Sequence, residues 1–121
     1  MPLKCMLGTT IESNVWHPLM GAAPRPYCRY AAMLCLKAHF PRLNTFVTIE
    51  PVMAFDQNIL AEWMRRIGPD FINIGADSKG RLPDYVEPDV ADLSKFIEIM
   101  RLSRIEIRKK HNLERLIKNE S

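Results

Sequence analysis

The chain is short of the features that usually announce a chemistry. No apolar run approaches the ~18 residues a membrane-spanning helix needs, and no targeting segment is visible, so a cytoplasmic protein without membrane contact is expected. Cysteine is scarce: Cys5, Cys28 and Cys35 are an odd number, and 28 and 35 lie roughly 10 Å apart by helix rise, too far to bridge. Buried thiols in a reducing compartment are the expectation. His17, His39 and His111 share no i, i+4 spacing and adjoin no paired cysteine, which argues against zinc. No serine sits in a nucleophile elbow, and no glycine-rich loop stands ready to cradle phosphate. No internal repeat, low-complexity run or dividing linker is present, which leaves one domain over 1–121.

With 47% hydrophobic residues the chain has the apolar share of an ordinary folded protein, so disorder is not the default. A formal charge of +3 permits contact with nucleic acid without arguing for it, because binding needs a clustered patch. The basic run Arg101, Arg104, Arg108, Lys109, Lys110, Arg115 and Lys118 is diluted by Glu106, Glu114 and Glu120, so a solvated surface explains it better than a phosphate track.

Four short strand-like segments, near 4–12, 45–50, 71–77 and 105–110, alternate with helical patterns. Opening almost at once in a core strand suggests that something upstream is missing. The connector 13–26 is broken by Pro18, Gly21, Pro24 and Pro26. The first helix, 27–38, carries Tyr27, Tyr30, Ala31, Leu34 and Cys35 as its buried stripe. Asp56 caps a second helix bearing Ile59, Leu60, Trp63, Met64 and Ile67, with Gly68-Pro69 as its stop. A third presents Val90, Leu93, Phe96, Ile97 and Met100, and a last one after Asn112 buries Leu113, Leu116 and Ile117. This β-α-β-α-β-α-β-α alternation implies a parallel sheet.

Side chains alternate across a strand, and here each strand has an aliphatic face and a more polar one that ends in charge. A doubly wound sheet, covered on both sides, should be apolar throughout. The fold class expected is therefore α/β: a four-stranded parallel half-barrel with helices on its convex face only.

In parallel β/α sheets ligands bind beyond the carboxyl ends of the strands. Glu12, Ser13 and Asn14, then Glu50, then Asp77, Ser78 and Lys79, and finally Arg108 and Lys110 fall at that edge and form the candidate ligand site. The plainer alternative is that the three carboxylates are independent solvated strand ends. Trp16 and His17, in the long first loop, either stack on a ligand or, the better reading, let Trp16 close the core from above. Met20 and Met53 have no evident role.

The segments Phe46-Val47-Thr48-Ile49-Glu50-Pro51-Val52, Phe71-Ile72-Asn73-Ile74-Gly75-Ala76-Asp77-Ser78-Lys79-Gly80 and Asn112-Leu113-Glu114-Arg115-Leu116, with the opening Leu7-Gly8-Thr9-Thr10-Ile11-Glu12-Ser13-Asn14, resemble the carboxyl half of a phage-associated protein family. That family is itself similar to radical S-adenosylmethionine enzymes of the partial (β/α)-barrel type. The resemblance implies a polar site at the strand ends, with Glu12, Ser13 and Asn14 in the position of ribose contacts and Glu50, Asp77, Ser78 and Lys79 on the substrate side. Those enzymes hold an iron–sulfur cluster on a C-x3-C-x2-C loop. Here twenty-two and six residues separate the cysteines, so the cluster-binding half is absent and no cofactor is expected in this chain. S-adenosylmethionine would bind only together with a missing half, and the isolated chain is not expected to be an enzyme.

The resulting expectation is a truncated barrel serving as a binding module or as one half of a split protein. It would be partnered by a complementary half or by further copies of itself. The alternative is a small phage-type interaction protein that binds a host protein or nucleic acid without cofactor chemistry.

Overall fold

A computed structural model describes residues 5–77 and 82–117. In chain order the elements are β1 (Met6–Thr10), α1 (Pro26–His39), β2 (Asn44–Ile49), α2 (Gln57–Ile67), β3 (Phe71–Ile74), α3 (Val90–Leu102), β4 (Glu106–Lys109) and α4 (Glu114–Ile117). Short 3-10 turns at Pro18–Met20 and His111–Leu113 join them. The four strands form one sheet in the order β1-β2-β3-β4, every neighbouring pair parallel.

The helices start and stop where local chemistry requires. Asp56 accepts hydrogen bonds from the amides of Asn58 (2.9 Å) and Ile59 (3.0 Å), an N-cap of the kind that contributes about 1 kcal/mol. Gly68 closes α2 in the left-handed conformation at φ 61°, where a side chain would be strained. Proline at the first position of α1 begins that helix without wasting an amide donor.

One face of the sheet is sealed. Ile11, Val47, Ile49, Ile72 and Ile74 are fully buried against Tyr30 and Met33 of α1, Leu60, Trp63 and Met64 of α2, and Leu93, Phe96 and Met100 of α3. Sequential strand order with all helices on one side is the arrangement a half-barrel requires. Met20, Met53 and Val86 form a second small cluster, with Leu82 against it, under the loops at the carboxyl end. This gives the two loop methionines a packing role.

The opposite face carries three registered rows. Gly8, Phe46, Phe71 and Glu106 share the first; Thr10, Thr48, Asn73 and Arg108 the second. Glu12, Glu50, Gly75 and Lys110 continue the pattern at the carboxyl edge, where Lys110 N–H donates to Ile74 O (2.7 Å) and Gly75 N–H to Ile49 O (3.0 Å). The Phe46 and Phe71 rings are parallel with centroids 5.3 Å apart, and the Arg108 guanidinium lies 3.6 Å above the Phe71 ring. Phe46 in turn leans over Gly8, where a methyl group would overlap its ring.

Several expectations need correction. All three cysteine thiols are exposed rather than buried, because α1 turns Cys28 and Cys35 outward and β1 lies at the sheet edge. The buried stripe of α1 is Pro26, Tyr30 and Met33; Tyr27 and Cys35 face solvent, since α1 packs chiefly against α2 at the flank of the helix layer. Ile59 is likewise exposed on α2. Trp16 does not close the core: it is exposed, with the Arg25 guanidinium 4.4 Å above its ring.

Replacing Gly8 with alanine should therefore cost about 1–2 kcal/mol in denaturant melts by forcing Phe46 off its seat. In a Phe46→Leu background the same change should cost less than half as much. Equal costs in both backgrounds would show that the ring is free to move aside.

Candidate functional site

The loops at the carboxyl edge are tied to one another by main-chain hydrogen bonds. Met53 N–H donates to Glu12 O (3.0 Å), Val52 N–H to Gly75 O (2.9 Å) and Ala54 N–H to Val86 O (2.6 Å). Side chains complete the lacing. Ser13 is fully buried; its hydroxyl donates to Ala54 O (2.6 Å) and accepts from Val15 N–H (2.9 Å). Asn14 Oδ1 accepts from Asp56 N–H (2.8 Å), and His17 Nε2 lies 3.0 Å from Ala54 O. Ser13 and Asn14 thus hold the first loop against the β2–α2 loop, through the Ser13 hydroxyl and Asn14 Oδ1.

Glu12 turns to α1. Its Oε1 lies 2.7 Å from Arg29 Nη1, the two side chains being 14% and 12% exposed. Arg29 also donates to the Thr10 carbonyl and, through Nε, to Pro24 O at 2.9 Å. Its Nη1 is committed to Thr10, so Oε1 is held by charge without a hydrogen bond of good geometry. This one guanidinium fixes the end of β1, the proline-rich connector and the Glu12 carboxylate.

Glu50 reaches the other way. Its carboxylate crosses over Gly75 to meet Lys110 Nζ at 2.9 Å, with side chains 26% and 50% exposed. Gly75 makes room for that crossing, since a Cβ there would stand 2.7 Å from Glu50 Oε2. Arg108 does not join this pair: it bonds Glu106 at 2.6 Å while covering Phe71.

Asp77 accepts from Leu82 N–H (2.8 Å), holding the middle of the β3–α3 loop to its start. Ser78 and Lys79, assigned to the site from sequence, lie outside the described residues. Around β3 the structure adds groups that the sequence reading did not assign to the site. Asn112 forms a two-point clasp on Ala76, accepting from its amide (3.1 Å) and donating to its carbonyl (2.8 Å). Arg115 pairs with Glu87 at 2.6 Å and donates to Asp77 O (3.3 Å). Glu87 beside it raises the affinity of the Arg115 guanidinium for its proton.

The expected site residues therefore share an edge without forming one cluster. Glu12, Glu50 and Asp77 each have their own partner, and among the described residues no group of three or more metal-ligating side chains converges. What remains open to a ligand is the second row, Thr10, Thr48 and Asn73, half-buried beneath the Glu50–Lys110 bridge. Within it Asn73 Nδ2 donates to Thr48 Oγ1 at a long 3.5 Å. Two hydroxyls and an amide can donate and accept at once, which suits a neutral polar ligand. No signal in the sequence marked Arg29, because its role depends on α1 folding back across the end of β1. Comparison with family models, curated proteins and solved structures finds no match to this chain.

The two outer ion pairs should behave differently. Glu12→Gln leaves Arg29 largely buried without its countercharge and should cost about 2 kcal/mol or more. Glu50→Gln, at a half-exposed pair, should change stability by no more than about 0.5 kcal/mol. Urea melts of both variants check the order; equal losses would mean that the Glu12 pair is as solvated as the other.

Proposed function

We propose that the chain is a half-barrel binding module whose open sheet face is completed by a complementary β/α half, with the ligand site at its carboxyl edge. The observation that carries this reading is the gradation of the open face. An aromatic row lies toward the amino ends of the strands, hydroxyl and amide side chains come next, and an ion pair bridges the top. The inside of a β/α barrel is ordered this way, packed below and functional above. All-parallel sheets are rarely left with a face in water, so a face of this composition needs a cover. The resemblance to a radical S-adenosylmethionine-related phage family supports the same reading. On it, S-adenosylmethionine binding and any catalysis belong to the completed barrel, not to this chain alone.

Covering of the open face is testable in cells that make the protein. A variant with Cys5→Ser, Cys35→Ser and Thr48→Cys places a thiol at the centre of that face and keeps exposed Cys28 on the helix layer as reference. A membrane-permeant maleimide should modify position 48 at least tenfold more slowly than Cys28, and unfolding should equalise the rates. Equal rates in intact cells would refute the covered-face reading.

The same reading assigns cluster chemistry elsewhere. Cys28 and Cys35 are two turns apart on α1 and Cys5 lies just ahead of β1, so the three do not form the loop a cluster requires. Anaerobic reconstitution with iron and sulfide should leave the purified chain without stoichiometric iron or cluster absorption. Iron that is retained by wild type and lost in Cys28→Ser would reverse this assignment.

A further inference from the structure

We infer that the complementary half is a second copy of this chain, and that two copies close an eight-stranded parallel barrel through two identical β4-to-β1 joints. This rests on the half-barrel reading above and names the partner; it keeps the half-barrel but parts from the radical S-adenosylmethionine resemblance, since two copies of this sequence bring no C-x3-C-x2-C loop to the barrel.

The edges supply the argument. Ile11 N–H donates toward β2, so strand alternation turns the main-chain groups of Met6 and Gly8 away from the sheet. Lys110 N–H donates toward β3, which turns those of Ile107 and Lys109 outward on β4. Among the described residues nothing bonds these outward groups, so both edges offer a short row of donors and acceptors. Their side chains are complementary. On the helix side, β1 exposes Leu7, 46% accessible, and Met6 on the open side is 41% accessible. Beside β4, also on the helix side, lies an open groove of about 670 Å³ lined by Ile97, Ile105, Ile107 and Ile117 together with charged side chains that include Glu98, Arg101 and Lys109. A parallel strand added to β4 would set its helix-side residues in that groove, where Leu7 of a second copy would meet the isoleucines.

Charge favours this joint over β4-to-β4 pairing. β1 carries no charged residue, whereas three of the four residues of β4 are charged. Placing β1 against β4 therefore brings no like charges together and covers the unprotected apolar edge of each copy. Four β/α units are half of eight. A two-fold axis along the barrel axis makes the second joint a repeat of the first, so the ring closes and leaves no edge. The two open faces then become one interior, with Phe46 and Phe71 of both copies filling its lower layer. At the other end of β1, Arg29 already caps the outward Thr10 carbonyl, which sets the limit of the joint.

Sedimentation equilibrium with edge variants decides the matter. Wild type should have twice the 14.0 kDa chain mass at micromolar concentration. Leu7→Lys at the β1 edge and Lys109→Pro at the β4 edge should each weaken the dimer on the order of 100-fold while keeping the far-ultraviolet circular dichroism of a folded chain. Ile117→Lys replaces the proline variant if that one does not fold. An equimolar mixture of a β1-edge and a β4-edge variant should recover dimer, because one of its two joints is wild type on both sides. A monomeric wild type overturns the inference, and if position 48 is still protected in cells the cover is a different chain. A β4-edge variant that remains fully dimeric overturns it in favour of β1-to-β1 pairing. Masses that climb beyond the dimer overturn closure.

Discussion

The structure depends on one-sided burial. Val47, Ile49, Ile72 and Ile74 are sealed under three helices, and the side chains between them, Phe46, Thr48, Phe71 and Asn73, stay half-buried on the other side. Each connection returns its helix to the same face, so every strand must be apolar on alternate residues only. Removing that asymmetry would remove the reason for everything above the sheet. The stacked phenylalanines, the threonine and asparagine row and the bridging ion pair all occupy the surface that no helix covers.

Within that surface, glycine decides what can cross between strands. Gly8 admits the Phe46 ring and Gly75 admits the Glu50 carboxylate, each at a point where a neighbouring side chain leans sideways over the next strand. The two crossings run in opposite directions. Phe46 leans toward β1, and Glu50 reaches past β3 to Lys110 beyond β4. The result is a face already knit together by its own side chains, with the aromatic surfaces occupied by Gly8, by each other and by Arg108. Such a face presents ring edges rather than free ring planes. That weighs against a nucleobase-stacking platform, which needs unoccupied aromatic planes.

Much of the architecture was legible because it follows from period and punctuation. Four β segments, three long helices, the Asp56 cap and the Gly68 stop each rest on a few adjacent residues, and the alternation of polar and apolar positions gave the one-sided cover. The failures lie where burial depends on neighbours far along the chain. Helical spacing made Tyr27 and Cys35 part of a stripe, but α1 sits at the flank of the layer and buries only a narrow strip centred on Tyr30 and Met33. The edge position of β1 exposed Leu7 although its parity is that of the core face. At the site, in-phase carboxylates were readable as an edge, but their partners were not. Arg29 is seventeen positions from Glu12 and Lys110 sixty from Glu50, distances that only the folded sheet closes.

The partnering of those carboxylates also bears on what the edge is for. Ser13 and Asn14 tie the first loop to the β2–α2 loop, Glu12 pairs with Arg29 of α1 and Asp77 holds its own loop, so their position at the strand ends serves to fix long connectors over a short sheet. Glu50 and Lys110 differ: their bridge spans strands and stays half in solvent. An ion pair of that kind is held by little free energy and can open for a ligand at little cost. It lies at the carboxyl-edge end of the Thr10, Thr48 and Asn73 row. The edge therefore divides into a rigid loop scaffold around Glu12 and Asp77 and one exchangeable pair above the open face. Only the second part leaves side chains that a ligand can engage without unlacing a loop.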